Sequence, residues 1–262
     1  MKNNYWAKRS AETAQRLTDV GAAAANKQLA KYYSSCQKKV IREFEILYDE
    51  LLAKSAGEQP TPADLYKLEK YWVMQGELTE ELNKLGNKTA ALLSKKFVEH
   101  YINVYESLNL ALKSTESTFT TVDAGTAAQM VNAVWCADGK NWSQRVWNNT
   151  ARLQQALNDE LSHCIITGQK TTELKKLLQT EFAVSHNEAD RLVRTEMSHI
   201  QNEAAAQRYK DYGIKEFEVL SDGGCEQCAH SKNKRYRIEE KIPVPFHPNC
   251  RCCIVPIVAV DD

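Results

Sequence analysis

Asp211-Tyr212-Gly213-Ile214-Lys215-Glu216-Phe217-Glu218-Val219-Leu220-Ser221-Asp222-Gly223-Gly224-Cys225-Glu226-Gln227-Cys228 is the stretch where the chain changes character. Up to Tyr212 glycine and proline are scarce, and Ala, Leu, Lys, Glu and Gln dominate, as helix propensity favours. Gly213 ends that run. Residues 217–220 then alternate like a half-buried strand, and a Cys-x-x-Cys pair follows directly. A second β-rich run, 254–258, contains Pro256, which confines it to a sheet edge or a bulge because proline donates no ladder hydrogen bond. The pattern predicts a mainly α protein. An elongated helical body covers residues 1–212, and a small β-containing Cys/His module of zinc-knuckle type covers 213–262.

Upstream, a first helix is expected from Tyr5 to about Leu52, with Val40, Phe44, Leu47, Tyr48 and Leu51 at helical spacing. Ser55-Ala56-Gly57-Glu58-Gln59-Pro60-Thr61-Pro62 breaks it, and Thr61 is suited to cap a new helix that has Pro62 in its first turn. Further helices are expected over 64–75, 79–85 and 88–112, with His100 an ordinary face residue of the last. A Ser/Thr-rich connection follows over 114–125, then helix over 124–134. Asp138-Gly139-Lys140-Asn141 is a turn before a helix from Ser143 to about Thr167, which Gly168 closes. A short helix runs to Phe182, and Ser185-His186-Asn187-Glu188 matches a capping box opening the last helix. Its buried stripe is Val193, Met197, Ile200 and Ala204, leaving Arg194 and Glu196 roughly 160° apart around the axis. Residues 55–62 and 114–125 are candidate sub-boundaries in the body.

Composition excludes several function classes. Lys+Arg and Asp+Glu both count 34, so no net charge draws the whole chain to nucleic acid. The longest apolar run, 252–260, falls short of the ~20 residues of a membrane span and is interrupted by Pro256. Met1-Lys2-Asn3-Asn4-Tyr5-Trp6 leads into charged sequence rather than a signal-peptide core, so synthesis and retention in the cytoplasm are expected, with no membrane partner. In that compartment thiols stay reduced, and the eight cysteines read as metal ligands or core filler rather than four disulfides.

Downstream of Cys225 and Cys228 stand His247, Cys250 and Cys252. Gly223 and Gly224 let the backbone turn so that both sulfurs of the first pair face one point. Residues two apart in extended chain share a face, so Cys250 and Cys252 can turn inward while Cys253 points away. Cys225, Cys228, Cys250 and Cys252 then form a tetrahedral structural zinc site, with His247 competing to displace Cys250 and His230 a weaker candidate. The rival reading makes these reduced cysteines packed as small hydrophobes, the role assigned to Cys36, Cys136, Cys164 and Cys253.

Zinc would help a module too small and polar to fold well alone, contributing on the order of 10 kcal/mol. Enzymatic readings fare worse. His186-Asn187-Glu188 with the later cysteine pair imitates a deaminase signature but lacks its proline and its sheet. Thioredoxin chemistry lacks its βαβ context, and Ala229 stands where haem attachment needs histidine. An HNH-like nuclease would use His247-Pro248-Asn249 but finds no Asp-His partner. Lys232, Lys234, Arg235, Arg237, Lys241 and Arg251 outnumber Glu226, Glu239 and Glu240, and could meet DNA phosphates or an acidic protein face; a solvated loop face is the alternative.

Leu192-Val193-Arg194-Thr195-Glu196, the Cys225/Cys228 knuckle and His247-Pro248-Asn249-Cys250-Arg251-Cys252 together resemble the phage Mu F-like minor head proteins, also called phage head morphogenesis proteins. Trp135, Asp138-Gly139-Lys140-Asn141-Trp142-Ser143, Arg145-Val146-Trp147 and Tyr5-Trp6 with Arg9 resemble minor capsid proteins of phages of Gram-positive bacteria, extending the likeness over nearly the whole chain. The resemblance implies a non-enzymatic structural virion component, made in the host cytoplasm and placed at the portal vertex and capsid interior. Its expected partners are the portal protein, capsid and scaffold proteins and DNA, with no small-molecule substrate. It implies that Arg194, Thr195 and Glu196 tie the last helix to the knuckle, with Arg251 paired to Glu196. Ser231-Lys232-Asn233-Lys234 departs from relatives in lacking their Asp-Gly turn, a role open to Asn233. Some relatives carry a C-terminal toxin or ADP-ribosyltransferase domain, which is not expected here because the sequence stops at Asp262.

Overall fold

The structure, a computed structural model, describes residues 2–55, 58–111, 121–221, 224–232, 234–240 and 244–257, with side chains from Ala7 onward and none at 109–111. The expectations placed on Tyr5-Trp6 side chains, Gly223, Asn233, Lys241, Val258 and most of the 114–125 connection lie outside the described residues. Helices α1 (Lys2–Lys54), α2 (Pro62–Tyr66), α3 (Glu69–Ala111), α4 (Ala124–Asn132), α5 (Trp142–Thr167) and α6 (Thr171–Asp211) precede strand β1 (Glu216–Leu220), helix α7 (Glu226–Ser231), and strands β2 (Arg235–Arg237) and β3 (Cys253–Ile257). The chain is therefore mainly α with a small C-terminal sheet. No helix among the described residues is long and apolar enough to cross a membrane.

Three expected helix breaks are absent. Residues 69–111 form one helix, because Met74, Leu78, Leu82, Leu85, Thr89, Leu93, Phe97, Tyr101, Val104 and Leu108 make an unbroken buried stripe at spacings of three and four. Glycine costs such a helix about 1 kcal/mol against alanine. At Gly86 the cost has a return: a Cβ there would sit 2.6 Å from the Trp147 ring, so glycine is what lets the indole lie against the backbone. Likewise Ser185 opens no helix. It lies inside α6, where Leu174, Leu178, Phe182, Ser185, Ala189 and Val193 continue one buried stripe. Its hydroxyl donates to Asn149 Oδ1 at 3.1 Å, and Asn149 Nδ2 donates to the Ser185 carbonyl at 2.9 Å, so the side chain serves packing rather than capping.

The helix expected over 64–75 is interrupted, since α2 ends at Tyr66 and α3 starts at Glu69, whereas three other boundaries fall as expected. Thr61 and Asp64 form a reciprocal capping box with Pro62 at the helix start. Gly168 (φ +63°) and Gly213 (φ +69°) close α5 and α6 in the left-handed region that favours glycine.

The chain divides into two compact units, each assembled from separated segments. One comprises 27–91 and 143–190. There Phe44, Leu47, Tyr48, Leu157, Leu161, Leu174 and Leu178 are fully buried, and the Tyr48 hydroxyl lies 3.0 and 2.8 Å from the carbonyls of Cys164 and Gln169, closing the turn at Gly168.

The other unit comprises 1–26, 92–142 and 191–262 and holds the sheet. Its core includes Phe97, Tyr101, Trp142, Met197 and Ala204. Thr18 Oγ1 donates to Gln201 Oε1 at 2.5 Å, and His100 Nε2 lies 3.1 Å from Thr18 Oγ1 and 3.2 Å from the Met197 carbonyl. His100 is thus a buried, hydrogen-bonded core residue; burial lowers its pKa to about 4.

The sheet is antiparallel in the order β2-β1-β3. Pro256 sits in edge strand β3, as its missing N–H requires. Alternate residues of an edge strand turn their polar groups away from the ladder. Ile254 does so: its N–H donates to Asn202 Oδ1 at 2.9 Å, and its carbonyl accepts from the Tyr209 hydroxyl at 3.3 Å. Pro256 has the same parity and presents no N–H to leave unmatched. Strand β2 was not foreseen, being three residues long with an exposed, intermediate, exposed pattern and no apolar alternation.

Candidate metal centre

Five potential metal donors converge at the N-terminus of α7 and the turn before β3. Cys225, the N-cap of α7, receives the Cys228 N–H on its sulfur at 3.4 Å, which folds the Cys-x-x-Cys segment back on itself. The turn from His247 to Cys250 closes through a Cys250 N–H bond to the His247 carbonyl at 3.1 Å, with Asn249 at φ 60°. Asparagine is among the side chains that tolerate that region. Ligand atoms of Cys225, Cys228 and His247 lie within 4.8 Å of one another, as do those of Cys228, Cys250 and Cys252, so Cys228 is common to both triads. Cys228 Sγ is 3.1 Å from His247 Nε2 and 3.7 Å from Cys250 Sγ. Cys228, Cys250 and Cys252 are buried. His230, the weaker candidate, stays out of both triads and contacts the Glu226 carbonyl.

Two thiols of this cluster resist ionisation. Burial, followed by the neighbouring Cys225, Cys252 and Cys250 thiols, raises the Cys228 pKa, and burial raises that of Cys252. A bound cation inverts this balance by stabilising the thiolates. Several buried soft sulfurs beside an imidazole suit a thiophilic ion and not a hard oxygen-seeking one. Cys253 points elsewhere in β3 and belongs to the core, its thiol pushed up to about 12 by burial.

Helix α6 holds the strand side of this centre through a ladder of polar side chains. Asn249 N–H donates to Thr195 Oγ1 at 3.1 Å, Ser198 Oγ donates to the Cys250 carbonyl at 3.0 Å, and Asn202 Nδ2 donates to the Cys252 carbonyl at 3.2 Å. With Asn202 and Tyr209 at Ile254, the side chains at 195, 198, 202 and 209 satisfy the outward backbone groups of 249–254. The narrow apolar stripe expected on α6 is therefore too narrow, since Glu196, Ser198, His199, Gln201 and Asn202 are buried too. The signal available in sequence was Ser198 and Asn202 four apart, flanking the stripe.

Thr195 touches the knuckle turn, and its two neighbours in the motif lie in different surroundings. Glu196, 2% exposed, accepts from Trp135 Nε1 at 2.9 Å, and the Trp135 ring stacks on His199 at 4.2 Å. Arg194 lines a cleft of about 220 Å³ with Gln15, Asp19, Asn26 and Asn249. Arg251 pairs with Asp19 at 2.8 Å, which corrects the expected pairing with Glu196. The reason is placement: Arg251 reaches α1 at the surface, whereas Glu196 is buried beside the indole.

Lys232, Lys234, Arg235 and Arg237 are exposed. In the sheet register Arg235 stands opposite Glu218 and Arg237 opposite Glu216, so β1 carries a carboxylate against each β2 arginine.

The sequence from 155 to 255 matches the family model described as Phage Mu protein F like protein. Over this segment the chain is similar to the phage Mu protein F-like family. The match runs from within α5 to within β3, taking in the 194–196 motif and all five donors. Trp135, 138–143 and 145–147, which the resemblance had included, precede the matched span. No curated protein and no solved structure matches the chain.

Proposed function

We propose that this protein is a structural component of a phage head, acting in head morphogenesis at the portal vertex, with its C-terminal module held by one zinc ion. The observation that carries this reading is the phage Mu protein F-like match, which encloses the α6 ladder and the whole donor cluster in one family segment. Within the proposal, Cys225, Cys228, His247, Cys250 and Cys252 are the donor pool, and Thr195 fixes the turn that presents Cys250. The ion has a structural role: strands of five and three residues and a six-residue helix bury little by themselves. Zinc when bound replaces thiol protons with metal–sulfur bonds, and the chain's own contribution is to hold the donors and exclude water.

The partners proposed are the portal protein and capsid or scaffold proteins, with the protein carried inside the virion; contact with packaged DNA belongs to the same proposal. A nuclease reading finds no support in the β2 arginines, which face carboxylates across the sheet. The test is reconstitution of procapsids with tagged protein and cognate portal. Sedimentation with portal-containing particles, and not with portal-less shells, is expected. Metal-dependent nicking of DNA, abolished in His247→Ala, would overturn the reading.

A further inference from the structure

The cleft of about 220 Å³ beside Arg194 opens where α1, α6 and the turn at 249–251 meet, within the unit that holds the sheet. Helix α1 leaves this space because Ala22 and Ala23 stand on the same face as Thr18, Asp19 and Asn26, and each offers only a methyl group. The floor is buried and committed. Thr18 donates to Gln201, and Ser198 donates to the Cys250 carbonyl. The rim is exposed and carries Asp19, Arg194, Asn249 and Arg251. We infer that this cleft binds an acidic peptide segment of another protein, with one Asp or Glu carboxylate held by Arg194 and Arg251. That the other protein belongs to a phage head rests on the reading above; the site itself rests on the cleft.

Three observations select this ligand. The first is charge. Asp19 is consumed internally, its Oδ1 accepting from Gln15 Nε2 at 3.1 Å and its Oδ2 from Arg251 Nη2 at 2.8 Å. Two guanidiniums against one carboxylate leave the lining with one positive charge in excess. A guanidinium has five N–H donors, so a further carboxylate can join either arginine beside a partner it already has. The two oxygens of a carboxylate match that planar fork. The second is an unmatched acceptor. Asn26 Oδ1, in the cleft lining, is buried with no hydrogen-bond partner among the described residues. Buried carbonyl oxygens are ordinarily paired, and a peptide brings the N–H that pairs this one. A phosphodiester brings acceptors alone, which favours a peptide over a nucleic-acid backbone. The third is size. The volume is far above the ~10–15 Å³ that one water needs and below the ~300–1,000 Å³ of sites for drug-sized ligands. An acidic side chain with its adjoining backbone suits it better than a nucleotide cofactor.

NMR titration of the isolated full-length chain with the blocked peptide acetyl-Gly-Gly-Glu-Gly-Gly-amide tests this. Its glutamine counterpart, inorganic phosphate and a short DNA duplex are titrated in parallel. Saturable shifts of the Arg194 and Arg251 Nε–H signals are expected, with a Kd of about 1–10 mM for so small a probe. The glutamine peptide should bind at least about tenfold more weakly, as loss of a charged hydrogen bond implies, and Arg194→Gln should weaken binding as much. Asp19→Asn removes the internal competitor and should tighten binding about two- to fivefold, the worth of one exposed charge pair. A merely destabilised fold gives no such gain. Ala23→Leu fills the cleft without touching a charge and should abolish binding. Circular dichroism checks the helix content of each variant, and an unfolded Arg194→Gln is replaced by Arg194→Lys, which loses the fork and is read the same way. Equal binding of the two peptides, no saturable shift up to about 10 mM, no gain in Asp19→Asn, or full affinity in Ala23→Leu overturns the site. Stronger binding of phosphate or duplex at the same signals overturns the peptide assignment. Failure of the procapsid sedimentation leaves this binding untouched, and failure here leaves the head reading untouched.

Discussion

Asn202 is where the helix–strand junction can be tested most directly. It is 5% exposed, and its amide joins two backbone groups of the other element: Nδ2 donates to the Cys252 carbonyl and Oδ1 accepts the Ile254 N–H. Replacing it with leucine keeps the volume roughly constant and leaves both groups unmatched in a dry environment, since Cys252 and Ile254 are 1% and 6% exposed. Each orphaned group costs about 1–3 kcal/mol, or roughly 2–6 for the pair. The added apolar surface returns about 1–2 kcal/mol. The bond from Nδ2 to the Ser198 carbonyl matters little, because that carbonyl keeps its helical partner. Taking the middle of each range, the net expectation for Asn202→Leu is a loss of about 2.5 kcal/mol, a large share of an ordinary stability of ~5–15 kcal/mol.

The local readout is native-state hydrogen exchange at the Ile254 amide, which should lose about 60-fold protection at 1.4 kcal/mol per decade. Urea unfolding supplies the global value. Tyr209→Phe removes one longer bond to the same residue and should cost only about 0.5–1.5 kcal/mol. An Asn202→Leu protein that loses under ~0.5 kcal/mol, with Ile254 protection unchanged, would refute the view that α6 side chains close the free edge of β3.

Three further outcomes follow from the same structure. Gly86→Ala should destabilise by about 1–3 kcal/mol through collision with the Trp147 ring, whereas Gly76→Ala, with nothing within 4 Å, should stabilise by about 0.8–1 kcal/mol; thermal melts showing the same sign for both would contradict this. His100 and His199 are both lowered by burial from 6.5 to about 4, so the unfolded chain binds more protons between those values. Stability is then complete above pH 6.5 and falls as pH drops toward 4, by about 1.4 kcal/mol per histidine at pH 5.5; urea midpoints flat from pH 7 to 5.5 would exclude it. Trp135→Phe takes a donor from the buried Glu196 carboxylate and should cost about 1.5–3 kcal/mol, measured by urea unfolding, with Trp135→Tyr no substitute because its hydroxyl cannot occupy the indole nitrogen's position.

What was legible in the sequence were features whose cause is local. Thr61-Pro62 and the glycines at 168 and 213 mark helix ends because capping and positive φ act over a few residues. Pro256 marks an edge because one missing N–H forbids a central place. The breaks wrongly expected near Gly76, Gly86 and Ser185 failed for the opposite reason. At each, a local preference for interruption was overridden by a tertiary partner or by an unbroken buried stripe. Strand β2 was illegible because Arg235, Tyr236 and Arg237 carry no apolar alternation; its pairing comes from β1, not from its own burial. At the candidate centre, spacing alone brought together the five donors but could not order them, and it matched Arg251 to the wrong carboxylate because depth of burial leaves no mark in the sequence.

The two devices at the C-terminus divide one physical problem. The segment 249–254 must present its sulfurs toward α7 and its outward backbone groups toward something polar, yet it is too short to supply a second ladder. A metal ion answers the first need and not the second, since it binds side chains and leaves carbonyls and N–H groups bare. Ser198, Asn202 and Tyr209 answer the second and not the first. Thr195 stands at the join, accepting the Asn249 N–H in the turn that also sets His247 and Cys250. This is a physical reason for a helix motif and a cysteine–histidine motif to occur in one segment: each completes a set of bonds that the other cannot. It also predicts coupling. Thr195→Val, which keeps shape and removes the acceptor together with the hydroxyl's own bond to the Arg191 carbonyl, should lower metal affinity by about 10–100-fold in the full chain, as outer contacts to a metal site do. Metal affinity unchanged in Thr195→Val, with its helix content intact, would mean that helix and centre are assembled independently.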